Sequence, residues 1–171
     1  MTAPDQPAAV LVSGGLDSAV LLGTAARREP AVTPLYVRSG LAWEAAERAC
    51  LDRFLAELRQ PSVRPLVTLD LPVADLYGDH WSLTGRGVPG ADTPDEAVYL
   101  PGRNVLLLSK ALLWCHLHGV PTLALATLAA NPFPDATPAF FRSFADAVNA
   151  AVGGRVEVVA PFAGLSKAEV I

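Results

Sequence analysis

The sequence is short of the features that would place it in several large classes. It has only two cysteines, Cys50 and Cys115, and they form no C-x-x-C pair. That is too few for a disulfide framework, and a reduced, cytoplasmic setting is expected. Basic residues are outnumbered by acidic ones, 13 against 17, and the formal net charge is −4. A broad nucleic-acid grip normally needs a basic face, so nucleic acid is disfavoured, although a small basic pocket remains compatible with the charge. No apolar run approaches the about 18 residues of a membrane span. The opening "MTAPDQP" lacks the basic start and apolar core of a signal peptide. Charged residues are 18% of the chain and hydrophobic residues 51%, which argues against both disorder and coiled coil. Two familiar phosphate motifs are also missing: G-x-x-x-x-G-K-[ST] and G-x-G-x-x-G. No internal repeat or low-complexity tract is present.

What remains is an alternation of short apolar runs and helical patterns over 171 residues, a length that suits one domain. Ala8–Ser13 reads as a strand buried on both faces, and 17–28 as a helix with Ala19, Val20, Leu21, Leu22 and Ala25 available for its buried stripe. Strands follow at 32–38 and 63–70, the second with a start blurred by Pro61 and Pro65, and a helix from 42 to 59 lies between them. Residues 71–98 carry seven Gly and Pro residues without periodicity and read as a long loop, lid or insertion. A helix at 104–118, a strand at 121–127, a helix at 138–152 and a strand at 156–159 complete the pattern, with Ser166 as the N-cap of a last helix. Strands alternating with helices predict a doubly wound parallel sheet with helices on both faces. Ligands in such a sheet sit outside the carboxyl ends of the strands.

The informative stretch is "AAVLVSGGLDSAVLL", where a buried strand turns on two glycines into a helix. Gly14 and Gly15 permit positive φ and close approach of backbone N–H groups to an anion; Ser13 and Ser18 add hydroxyl donors, and the helix start adds a favourable dipole. The alternative is a plain strand–helix corner. Asp17 is unsuited to touch phosphate directly. It either holds a divalent cation that bridges to phosphate or ties down the loop through backbone N–H groups. Trp114-Cys115-His116-Leu117-His118 offers too few ligands on one helix face for a metal and reads as ordinary packing. His80 and Trp81, in the long loop, either cover a bound purine or are loop hydrophobes.

S-G-G-x-D-S after the first strand resembles the PP-loop of the ATP pyrophosphatases, which include asparagine, GMP and NAD synthetases and tRNA-thiolating enzymes. "YLPGRN", "FPDATPAFFRSFADAV" and "PFAGLSKAEVI" follow in order, and with the loop they make nearly the whole chain resemble the 7-cyano-7-deazaguanine synthase family. That resemblance implies an adenine-nucleotide alpha-hydrolase-like fold and an ATP-dependent ligase of queuosine-type deazapurine biosynthesis. It would adenylate the carboxylate of 7-carboxy-7-deazaguanine and use ammonia to form the amide and then the nitrile. It also implies ATP and Mg²⁺ as cofactors, with Asp17 on the metal. Ser13, Gly14, Gly15, Leu16, Asp17 and Ser18 would hold phosphate, and Tyr36, Val37 and Arg38 would receive adenine and ribose. Lys167 would contact phosphate, or is an ordinary first-turn lysine. Arg103 and Asn104 would bind phosphate or substrate, or only open a helix. Asp135 would meet a guanine-like edge or cap the helix that follows it. Asp17, Lys167 and Arg103 are the expected catalytic set, and a homodimer is compatible with the pattern.

The sequence departs from the family pattern at Ala136, Thr137 and Ala139, where Cys, Arg and Glu are common, and at "TLAAN" upstream. These changes are expected near the substrate pocket. The family's four-cysteine zinc site, beyond the K-x-E segment, has no counterpart here, so a truncated or divergent member is expected. Two rivals remain: a PP-loop enzyme with another acceptor, a different carboxylate or a tRNA base, and a nucleotide-binding module without turnover.

Overall fold

A computed structural model describes residues 6–90 and 92–171. Its centre is a five-stranded, all-parallel sheet in the order β3-β2-β1-β4-β5. The strands are β1 (Ala8–Leu11), β2 (Val32–Arg38), β3 (Val67–Asp70), β4 (Thr122–Ala124) and β5 (Glu157–Val159). Four longer helices cover its faces: α1 (Leu16–Arg28), α2 (Glu44–Leu58), α6 (Arg103–Leu117) and α7 (Pro138–Val152). The predicted doubly wound sheet is therefore the observed one.

The period-two pattern of β1 explains its central place. Ala9 and Leu11 join a cluster with Leu35, Leu108, Leu112 and Phe141, on the α6–α7 face. Val10 and Val12 join Leu21, Leu22, Val32, Tyr36 and Leu51, on the α1–α2 face. A strand apolar on both sides has to be covered on both sides, and a parallel sheet does that. The stripe of α1 is rotated slightly from the expected one, with Ser18, Leu21, Leu22 and Ala26 as its buried residues.

Pro34 lies inside β2 at no cost to the ladder. Val32 exchanges bonds with Ser62 and Arg64 on the β3 side, and Leu35 bonds Val12 on the β1 side. The alternation of a parallel strand turns Pro34 back toward β3, at the point where pairing lapses between the Val32–Val63 bridge and the Leu35–Val67 pair. Its missing N–H thus faces a gap. Pro65 occupies the same gap, which is why β3 begins at Val67 rather than Val63. β4 is also shorter than expected: Leu125 donates a last bond to the Val159 carbonyl, and the chain then leaves the ladder.

The segment 71–98 is not structureless. It holds three single-turn helices, α3 (Ala74–Tyr77), α4 (Trp81–Thr84) and α5 (Asp95–Val98). Individual long-range bonds pin them: the Tyr77 hydroxyl donates to the Pro101 carbonyl at 2.6 Å, and Trp81 Nε1 to the Ala97 carbonyl at 3.1 Å. At the other edge the Asn149 amide both donates to and accepts from the Val156 backbone, at 2.9 Å each, tying the end of α7 to the approach to β5. The chain closes with α8 (Lys167–Val170), where the Glu169 carboxylate accepts from the Ser166 N–H and hydroxyl.

Phe141 is the largest fully buried side chain, at 1% exposure. Phe141→Ala is expected to lower unfolding free energy by about 3–5 kcal/mol. Urea denaturation checks this, with a lower midpoint and an unchanged slope.

Candidate functional site

The strand order reverses between β1 and β4, and the crevice over their carboxyl ends is where a ligand fits in such a sheet. A cavity of about 310 Å³ opens there. Ser13, Gly15, Asp17 and Ser18 line it from the first turn, and Tyr36, Val37, Glu44 and Glu47 from β2 and α2. Tyr99, Arg103, Asn104, Asn131, Phe133 and Asp135 line it from the far side.

The first turn is built for close approach. Gly14 has φ +75°, and a Cβ there would run into the carbonyl of Glu47. Gly15 is the N-cap of α1 and brings no side chain to its free N–H groups, which stay available to an anion. Ser18 folds back inside the loop. Its hydroxyl donates to the Gly15 carbonyl at 2.9 Å and accepts from the Ser13 N–H at 3.2 Å. Asp17 does not tie the loop down. Its Oδ1 is buried and accepts no hydrogen bond from the described residues, and its Oδ2 lies 3.7 Å from Lys167 Nζ. Lys167 is mostly exposed and stands beside the cavity rather than in its lining. Leu16 is exposed and also lies outside the lining.

Of the three β2 residues, Tyr36 and Val37 reach the cavity and Arg38 does not. The Arg38 guanidinium turns to the sheet edge and pairs with Asp70 at 2.6 Å. Tyr36 is buried, and its hydroxyl donates to Glu47 Oε2 at 3.3 Å. Burial and the Glu47 and Glu44 charges push this phenol well above its ordinary range. Burial also raises the Glu47 carboxyl, against the pull of Arg103, the Tyr36 hydroxyl and the Trp43 indole. Glu44 Oε1 accepts from the Ser39 N–H at 2.7 Å and the Gly40 N–H at 3.2 Å, fixing the loop between β2 and α2.

On the far wall, Tyr99 and Phe133 stack with ring centroids 4.7 Å apart, a flat apolar surface beside the polar groups. Asp135 is buried and caps a helix, but not the one that follows it. Its Oδ2 accepts from the Asn104 N–H at 3.0 Å, at the start of α6, whereas Thr137 caps α7. Arg103 forms no ion pair among the described residues.

Glu44 and Glu47 were not legible as site residues, because an E-x-x-E spacing in a first helical turn looks like an ordinary solvated face. The departures from the family pattern also fall differently than expected. Ala136, Thr137 and Ala139 do not line the cavity, while Thr127 and Asn131 of "TLAAN" do. Trp81 stacks on Trp43, at 5.4 Å between centroids, and the His80 ring caps α4, so neither covers the cavity. Cys115 is fully buried, and burial pushes its thiol up to about 12. Cys50 is exposed on α2, and no group of three or more metal-ligating side chains occurs among the described residues.

The all-parallel doubly wound sheet, with its S-G-G-x-D-S turn beside the cavity at the switch point, has the fold of the adenine-nucleotide alpha-hydrolase-like, or PP-loop, class. A solved structure described as a predicted subunit of tRNA methyltransferase, from Methanocaldococcus jannaschii, shares the fold. It has a TM-score of 0.61 and 14% identity, over 96% of this chain and 72% of that one. Within that class the chain belongs to the queuosine biosynthesis protein QueC family, whose model matches residues 7–171. Relatives named 7-cyano-7-deazaguanine synthase cover nearly all of it. That of Methylococcus capsulatus is 32% identical over 97% of this chain and 76% of its own length. That of Novosphingobium aromaticivorans is 34% identical over 98% and 74% respectively.

Gly14→Ala is expected to cost more than the about 1–2 kcal/mol of a left-handed L-residue, since its methyl also strikes Glu47. Gly164→Ala, in open space, should stay within about 0.5 kcal/mol of the parent. Thermal unfolding of the two variants side by side checks the contrast.

Proposed function

We propose that the cavity binds ATP and that the chain, as a single PP-loop domain, activates the carboxylate of 7-carboxy-7-deazaguanine. Ammonia then converts it to the amide, and a second activation yields the nitrile. The observation that carries this reading is Asp17 Oδ1, a buried, unpartnered carboxylate oxygen at the start of α1, in a chain of the QueC family.

A carboxylate so placed repels polyphosphate unless a cation stands between them. Mg²⁺ commonly takes one or two carboxylates, with substrate phosphates and water completing its shell, so one unpartnered oxygen fits it. Asp17 would hold the ion, which would neutralise charge on the phosphates as ATP is cleaved between α and β. The family's zinc does not fit these residues, with one exposed and one buried cysteine, and no step depends on it.

The chain's own groups supply the rest. The N–H groups from Gly14 to Ser18, with the Ser13 hydroxyl, cradle the β- and γ-phosphates. Tyr36 and Val37 meet adenine and ribose, with Arg38 contributing through its backbone. Lys167 offsets charge beside Asp17. Arg103, the one basic side chain of the lining, draws the substrate carboxylate toward the α-phosphate. Asn104 and the remaining Asp135 oxygen face the heterocycle, which lies on the Tyr99–Phe133 rings.

Ammonia and a deazapurine acid are thus the substrates. The setting is cytoplasmic, and among the described residues no helix is long and apolar enough to cross a membrane. A homodimer is compatible with this reading.

The test is release of AMP and pyrophosphate from ATP with 7-carboxy-7-deazaguanine and ammonium, with the nitrile identified by mass. Asp17→Asn should lower the rate by about 100-fold or more at an unchanged melting temperature. ATP binding without turnover would leave a nucleotide-binding module, and turnover only with another carboxylate would change the acceptor.

A further inference from the structure

Among the described residues four carboxylates line the cavity, and three face a cation or backbone N–H groups. Asp17 faces Lys167, Glu44 accepts two backbone N–H groups, and Asp135 caps α6. Glu47 alone is held only by ring donors, the Tyr36 hydroxyl and the Trp43 indole. Opposite it stands Arg103, the lone basic group of the lining. Arg103 is near enough to pull the Glu47 carboxyl down, yet the two form no ion pair within 4 Å. The same cavity therefore holds a cation without an ion pair and a carboxylate held by two neutral donors, and the two do not touch.

An acceptor carboxylate goes to Arg103. What goes to Glu47 has to be cationic or rich in N–H donors, and ammonium, the nucleophile of the reaction proposed above, is both. Ammonium carries no lone pair at neutral pH and must lose a proton before it can attack. We propose that Glu47 is the base that takes this proton; the inference rests on the function proposed above. Ammonium gives its proton to the Glu47 carboxylate and becomes ammonia. The nitrogen lone pair then forms the C–N bond, the bond from carbon to the AMP oxygen breaks, and AMP leaves with that electron pair. The new amide nitrogen sheds a second proton to water, and Glu47 returns the first to water.

The surroundings suit the role. Burial raises the Glu47 carboxyl above the usual carboxylate range, which improves it as a proton acceptor. Tyr36 from β2, Glu44 from the same helix and Arg103 from α6 are the charged or titratable groups that act on it. From the β1–α1 turn the Gly14 backbone packs against the Glu47 backbone. Tyr36 is pushed so far up that it stays a donor and does not compete for the proton.

The test compares ammonium with hydroxylamine, which is uncharged at neutral pH and needs no proton removed before attack. Glu47→Gln should slow amide formation from ammonium by about 100-fold at pH 7, while hydroxamate formation stays within about twofold of the parent. The ammonium deficit should close as pH rises and free ammonia accumulates. In Tyr36→Phe the lost hydrogen bond raises the Glu47 carboxyl, so the acidic limb of the ammonium rate should move to higher pH. This second variant keeps the question answerable should the first fold poorly.

An equal loss with both nucleophiles, or a pH-independent rise in KM for ATP or for the carboxylate, overturns the proposal. Glu47 would then be reading an N–H edge of the nucleotide or the heterocycle. A parent protein that makes neither amide nor hydroxamate overturns the function reading itself, and this inference with it.

Discussion

The contact between Gly14 and the Glu47 carbonyl locates the rest of the site. It sets the β1–α1 turn directly on the backbone of α2, at a distance no side chain would permit. The start of α2 is fixed in turn by Glu44, whose carboxylate holds the loop that leaves β2. Across the cavity Asp135 does the same for α6. Each wall is thus placed by a carboxylate on backbone N–H groups, bonds worth about 1.5–3 kcal/mol apiece when charged. The Gly14 contact keeps the walls in register.

This arrangement gives the cavity an unusual electrostatic character. Four carboxylates and one guanidinium line a space proposed for a polyphosphate. The imbalance is tolerable because the carboxylates are placed separately: two hold helix or loop starts, one stands at the glycine turn beside a lysine, and one takes the Tyr36 hydroxyl. A lining of this charge repels a bare anion.

Much of this was legible in the sequence, and the rest was hidden for identifiable reasons. β2 and α7 were readable to their ends, because their apolar periods are clean and Thr137–Pro138 marks a helix start. The end of β4 was not, since the apolar run continues past Leu125, which makes the last bond to β5, to Leu128, which serves the core outside the ladder. The short helices of 71–98 escaped because four-residue helices have no period to read, and single tertiary bonds hold them. At the site, the glycine turn was readable from residue type, and "GRN" from the family resemblance. Glu44 and Glu47 were not, because only the docking of α2 against Gly14 turns a solvated-looking face inward. Asp135 was readable as a cap, but α6, the helix it caps, starts 32 residues before it in the chain.

The central position of β1 also bears on the order in which the chain is made. Ala8–Leu11 leave the ribosome before the other four strands, yet one of their two partners, β4, is more than 110 residues away. Until Thr122–Ala124 emerge, the middle strand of the finished sheet is an open edge, apolar on both faces. At about 5–20 residues per second, that exposure lasts several seconds on every newly made chain. A nascent chain of this protein thus carries an exposed apolar edge that its finished structure conceals.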